Sequence, residues 1–226
     1  MAKKINAVIF DMDGTVIYSP PTPQNPTTWP LLGKYAGNIE EKWNSLQAKY
    51  QDDAINMIPP ETYPYFYQES CALLAGKSLA SILKKFFPLP YTPGFKEFCS
   101  YLREQDIKTG MVTFGVGLIA QKIGNAHNLD YVLANEIHVR NGKFTGTGKI
   151  NIQSGEKGSA VRKVYELLGA TRETTAFFGD SANDLGPWKE VACPFGILAT
   201  EKYESLLKAN FADFHQAKGY FQQQLL

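Results

Sequence analysis

The stretch Lys4-Ile-Asn-Ala-Val-Ile-Phe10 runs straight into Asp11-Met-Asp-Gly-Thr15, and that join sets the fold class. A short apolar run rich in β-branched residues, stopped by a turn signal, suits a strand buried on both faces of a parallel sheet. Similar runs recur at Gly110–Thr113, Tyr131–Ala134, Thr175–Phe178 and Phe195–Leu198. Helical patterns lie between them. Phe95, Phe98 and Leu102 follow Thr92-Pro93, read as an N-cap with proline at the first helical position. Val161, Val164, Leu167 and Leu168 form a second stripe that Gly169 closes. This alternation predicts a doubly wound, Rossmann-like α/β fold with a mostly parallel sheet.

Two segments break the alternation. Asn141-Gly142, between alternating residues of 136–145, signals a hairpin through a type I′ turn, hence a small β-hairpin flap outside the main sheet. Residues 18–89 begin with Pro20, Pro21, Pro23, Pro26 and Pro30, too many for a helix interior or a central strand. Helical spacing follows around Ile39–Tyr50 and from Phe66 to Phe87. The segment reads as a helical cap inserted after the first strand. The expected division is therefore 1–17 with 90–226 as the core and 18–89 as the cap.

Composition excludes several functions. The 226 residues carry 23 Lys plus Arg against 22 Asp plus Glu, so no overall field draws nucleic acid or an anionic membrane. No apolar run reaches the roughly 18 residues of a membrane span, and Met1–Asp11 lacks a leader's apolar stretch. Cys71, Cys99 and Cys193 are odd in number and far apart, which fits free thiols in a reducing cytoplasm. Three histidines at no ligand-like spacing argue against a transition-metal site. Oligomeric state leaves no mark in the sequence.

The chemistry gathers at strand and helix ends. Asp11 and Asp13 fall where an open α/β sheet binds ligands, with Gly14 permitting a sharp exit, although Asp and Gly also punctuate ordinary turns. Thr113-Phe114-Gly115 precedes a helix, as an anion site or as a plain N-cap. Gly179-Asp-Ser-Ala-Asn-Asp184 adds Asp180, Asn183 and Asp184, as ligands of a hard cation such as Mg²⁺ or as an Asx-turn. Lys157 opens a helix against its dipole, which a solvated surface lysine leaves unexplained. Carboxylates, a hydroxyl with backbone donors and a lysine on one side form the equipment of phosphoryl transfer.

With these four elements in hand, the chain resembles the haloacid dehalogenase superfamily, most closely its phosphoserine-phosphatase-like group. The resemblance covers 1–17 and about 90–200, and Leu133–Gly146 looks like that group's flap region. It implies a Mg²⁺-dependent phosphomonoester hydrolase acting on a small-molecule phosphate ester. Asp11 would be the nucleophile, forming an aspartyl phosphate. Asp13 would serve as general acid and base. Thr113, Phe114, Gly115 and Lys157 would hold the phosphate, Lys157 also neutralising the nucleophile. Mg²⁺ would bind Asp11, the Asp13 carbonyl and Asp180, with Asn183 and Asp184 supporting, and the cap would close over the site.

The departures concern substrate. The group's acid after the first motif has no counterpart in Val16–Pro21, and its cap arginine has none either, since Arg103 is the first arginine in the chain. A lysine would offer charge without the bidentate fork. Residues 18–89 are instead rich in aromatics, among them Trp29, Trp43 and Phe66. These either pack as core or line a pocket for a planar or quaternary-ammonium alcohol. Phosphoserine phosphatase proper and a phosphotransferase on the same site stay open. So does a catalytically silent binding protein, which the aromatic tail Phe211-Ala-Asp-Phe-His215 would permit.

Overall fold

The computed structural model describes residues 4–22, 24, 26–52 and 57–224. Pro23 of the proline-rich opening lies outside them, as do the first three residues of the stretch read for a leader. Six strands, β1 (Ala7–Phe10), β2 (Lys108–Thr113), β3 (Tyr131–Ala134), β6 (Thr175–Gly179), β7 (Cys193–Ile197) and β8 (Ala209–Phe211), form one sheet. Its order is β3-β2-β1-β6-β7-β8, and every pairing is parallel. The remaining strands, β4 (Glu136–Arg140) and β5 (Lys143–Lys149), make a separate antiparallel hairpin. Asn141 and Gly142 take positive φ of 51° and 72° at its turn, as the Asn-Gly signal requires.

Strand alternation splits the interior into two cores. Val8 and Phe10 of β1, Met111 of β2 and Phe178 of β6 face one way. They meet α5 (Phe95–Glu104), α6 (Gly117–His127) and α9 (Phe214–Gln224) through Phe95, Phe98, Ile123, Phe214 and Phe221. Ala7, Ile9, Val112 and Phe177 face the other way, onto Val161 and Val164 of α7 (Lys157–Leu167) and Trp188 of α8 (Leu185–Glu190). The period of two along each strand thus supplies both layers from one run of apolar residues. The first core is phenylalanine-rich, with Phe10 and Phe178 at ring contact with each other and with Phe98 and Phe214.

Between β1 and α5 come α1 (Thr28–Tyr35), α2 (Glu40–Tyr50), α3 (Tyr63–Ala72) and α4 (Leu79–Phe86). Helix α1 is a correction to the sequence reading. Pro30 is its third residue, inside the first turn, where no intrahelical N–H is needed. The apolar pattern from Phe66 to Phe87 is two helices, broken at Gly76 in the left-handed region (φ 74°). Thr92 does not cap α5: Gly94 precedes that helix, and the Thr92 hydroxyl donates instead to the Thr15 carbonyl at 2.6 Å. Leu167, read into the α7 stripe, is exposed, and Tyr165 takes the buried place. The tail aromatics Phe211 and Phe214 are buried in the phenylalanine core, so they offer no free surface. None of the helices of the described residues is long and apolar enough to cross a membrane.

Candidate active site

Chain order reverses between β1 and β6, and at such a switch point the carboxyl ends of neighbouring strands part to leave a crevice. Asp11 directly follows β1, Asp180 directly follows β6, and Thr113 ends β2, so the three reach one edge. A short 3₁₀ turn, Ala182–Asp184, brings Asp184 back under them. Asp184 Oδ2 accepts from the backbone N–H groups of Asp180 (2.9 Å) and Ser181 (3.2 Å), which fixes the loop.

Lys157 explains its own placement. As the first residue of α7 it points inward, not to solvent, and its ammonium donates to Asp11 Oδ1 at 2.6 Å and Asp184 Oδ1 at 2.7 Å. All three side chains are buried. Its Nζ also lies 5.7 Å from the Phe114 ring centroid and 5.9 Å from that of Phe177. Burial disfavours the ammonium, but the charges of Asp11 and Asp184 outweigh it and hold the Lys157 pKa above the ordinary lysine value.

The carboxylates also rise, which for them favours the neutral form. Burial pushes Asp11 up to about 7, although the Lys157 charge pulls it down, and Asp184 adds to the rise. Asp180 rises well above the ordinary value, first through burial and then through the charges of Asp184 and Asp11. One oxygen each from Asp11, Asp180 and Asp184 gather within 4.8 Å of one another. Together with Asp13 they outnumber the single ammonium. An all-oxygen set with surplus negative charge and neither imidazole nor thiolate fits a hard divalent cation.

Asp13 is held apart from that trio. Its Oδ1 accepts from the Thr28 backbone N–H (2.8 Å) and its Oδ2 from the Thr28 hydroxyl (2.7 Å), at the first residue of α1. Burial raises Asp13 to about 6 against these two bonds, which lower it. Asp13 therefore sits beside the cluster with its side chain turned to α1. Asp184, which the sequence reading gave a supporting role, has its carboxylate inside the cluster.

Thr113 is buried, and its hydroxyl accepts from the Gly115 N–H at 2.9 Å, while the Val116 N–H donates to Thr28 Oγ1 at 3.1 Å. The Gly115 N–H, expected to be open for an anion, is thus bonded within the protein, as is the N–H of Val116. A methyl group at Gly115 would collide with the Asp13 carboxylate, and one at Gly14 (φ 82°) with that of Asp180. Both glycines let a carboxylate approach the backbone.

Over these residues opens a cavity of about 290 Å³, also lined by Phe114, Ser181, Asn183, Ser154, Trp29 and Trp43. Trp29 Nε1 donates to the Phe114 carbonyl at 3.0 Å, and Ser154 Oγ to the Ile58 carbonyl, tying residues 18–89 to the sheet side. Thr28 and Ser154 were not singled out from the sequence. The signal for Thr28 was a hydroxyl at a helix start, hidden among prolines.

The sequence model of the haloacid dehalogenase-like hydrolases matches residues 8–186, from inside β1 through Asp184. The chain belongs to that family. Within it, a phosphoserine phosphatase of Methanocaldococcus jannaschii is 24% identical over 201 residues, 88% of each chain. A probable phosphoserine phosphatase of Schizosaccharomyces pombe is 28% identical over 211 residues, 90% of this chain and 64% of that protein. A substrate-bound phosphoserine phosphatase structure superposes with a TM-score of 0.77 at 21% identity, over 96% of this chain and 99% of that one. A haloacid dehalogenase family hydrolase from Salmonella enterica gives 0.80 at 17% identity, over 98% and 73%. The similarity to phosphoserine phosphatases thus runs over nearly the whole chain, in sequence and in fold.

Proposed function

We propose that this haloacid dehalogenase-like hydrolase is a Mg²⁺-dependent phosphomonoesterase acting on a small-molecule phosphate ester. One observation carries the reading: Lys157 bridges Asp11 and Asp184 at the sheet's switch point, and Asp11, Asp180 and Asp184 converge within 4.8 Å. A solvated turn has no use for such buried charge, whereas a dianionic phosphate needs it.

In this reading an Asp11 carboxylate oxygen attacks phosphorus, and the bond to the leaving oxygen breaks. Protonated Asp13 gives its proton to that oxygen, so the alcohol departs neutral. Asp13, now a carboxylate, takes a proton from water as the water's oxygen attacks the aspartyl phosphate. Inorganic phosphate leaves, and both aspartates return to their starting states. Thr113, Phe114 and Gly115 border the phosphate, while Lys157 balances the charge on Asp11 and on the transferred group. Asp11, Asp180 and the Asp13 carbonyl would hold Mg²⁺, with Asp184 and Asn183 beside them, and the ion would supply positive charge to the phosphate oxygens. Residues 1–17 with 90–226 act as the catalytic core and 18–89 as the cap that keeps bulk water out. A cytoplasmic setting, where the three buried thiols stay reduced, belongs to the same reading.

Phosphate release from a panel of small monoesters tests it. Turnover is expected with Mg²⁺ and not with chelator, and Asp11→Asn is expected to remove it by at least about 10⁴-fold with the fold intact. An active Asp11→Asn enzyme would refute the covalent route, and phosphate release that falls short of ester loss would point to transfer onto another acceptor.

A further inference from the structure

We infer that the ester this site hydrolyses is that of an uncharged, largely apolar alcohol and not of an amino acid; the inference rests on the hydrolase reading above. The cavity has two unlike sides. Its floor carries Asp11, Asp13, Asp180 and Lys157, where the phosphate belongs. The facing wall presents Trp29, Trp43, Phe66, Met57 and Ile58. Its amides, Gln47 and Gln51, are bonded to each other, Nε2 to Oε1 at 3.1 Å.

Charge decides what that wall can accept. Among the described residues lining the cavity, every charged group belongs to the floor, and the one cation is Lys157, already held by two carboxylates. Residues 53–56, which lie outside the described ones, are Asp, Ala, Ile and Asn, so the sequence adds no cation there. The six lysines between 18 and 89 are exposed or half-buried, and none lines the cavity. A carboxylate on the leaving group would lose its water to two indoles and a phenyl ring and gain no counter-ion.

A cationic alcohol fits less well than a neutral one. Trp29 and Trp43 lie parallel to each other, 7° apart in plane with centroids at 6.1 Å, and Phe66 meets Trp43 edge-on at 5.9 Å. Rings packed on one another make a flat apolar wall and leave few free faces to surround an ammonium. About 290 Å³ is at the small end of ligand cavities, room for a phosphate and a body the size of one ring.

The test compares kcat/KM for benzyl phosphate, O-phospho-L-serine and phosphocholine at saturating Mg²⁺. All three leave as primary alcohols, so differences report the wall and not the bond. Benzyl phosphate is expected to exceed phosphoserine by about 100-fold. Gln47→Arg, which places a cation on the wall, is expected to narrow that ratio about tenfold by favouring phosphoserine. Phosphoserine equal to or better than benzyl phosphate overturns the inference and leaves the hydrolase reading standing. A preference for phosphocholine overturns it as well, and an unchanged ratio in Gln47→Arg removes its charge argument. Failure of all three to give phosphate release that depends on Asp11 overturns the hydrolase reading and the inference together.

Discussion

Thr28 joins three parts of the site: its N–H and hydroxyl hold both Asp13 oxygens, and the same hydroxyl accepts from Val116 at the head of α6. Thr28→Val keeps the shape and removes the hydroxyl. The substitution is expected to cost about 1 kcal/mol in urea unfolding, through one lost bond and one orphaned N–H. Its kinetic signature is more diagnostic. The Thr28 bonds lower the Asp13 pKa against the burial that raises it to about 6, so losing one moves that pKa upward. The limb of the pH–rate profile that reports Asp13 is expected to shift to higher pH, with kcat falling more than KM rises. A profile that superposes on the parent's would show that Thr28 only packs.

At the scale of elements, α6 ends on His127, whose ring lies between Tyr91 (centroids 4.8 Å) and Phe95 (4.9 Å). Its Nε2 is buried without a hydrogen-bond partner among the described residues. Burial lowers its pKa below the ordinary 6.5, Lys96 and Arg103 lower it further, and Glu97 opposes them. A histidine held neutral in the fold contributes stability that is complete above the unfolded value of about 6.5 and is lost as pH falls through the folded one. Wild type is therefore expected to lose stability between pH 7 and 5 relative to His127→Phe, measured by denaturant midpoints at each pH. The same elements show what a sequence can and cannot disclose. Five of the six sheet strands announce themselves as short apolar runs, which burial on both faces demands of the central ones and which Leu133 and Ala134 keep buried in the edge strand β3. Ala209-Asn-Phe211 does not, since an edge strand of three residues has one exposed position and no room for a pattern. Helix α1 was hidden because proline is read as a breaker, and only its position inside the first turn makes it harmless. The floor of the site was legible because chemistry restricts Asp11, Lys157 and Asp180 to strand and helix ends. The Thr28 bonds were not, because a contact between residues 13 and 28 depends on how two elements dock.

For the whole molecule, the surplus of buried carboxylate at the switch point is a cost that folding alone does not offset. Divalent cation binding should relieve it. At Mg²⁺ about 100 times its Kd, linkage adds about 2.7 kcal/mol, which for a chain of this size raises Tm by roughly 5 to 10 °C. Asp180→Asn is expected to remove most of that increment while leaving the magnesium-free Tm equal or higher, since it discharges one of the clustered oxygens. Thermal scans with and without Mg²⁺ measure both, and an equal increment in Asp180→Asn would place the ion elsewhere.

The position of β1 at the centre of the sheet has a consequence during synthesis. Ala7 pairs with Lys108 on one side and with Thr175 on the other. The middle strand is thus made well before its second neighbour, which follows some 168 residues later. At about 5–20 residues per second that is a wait of roughly 10 s or more. Through that interval one edge of Ala-Val-Ile-Phe has no permanent partner, which makes the nascent chain sticky and dependent on shielding. A chain stopped after β5 is accordingly expected to aggregate, although it contains the nucleophile and every residue of the wall above it.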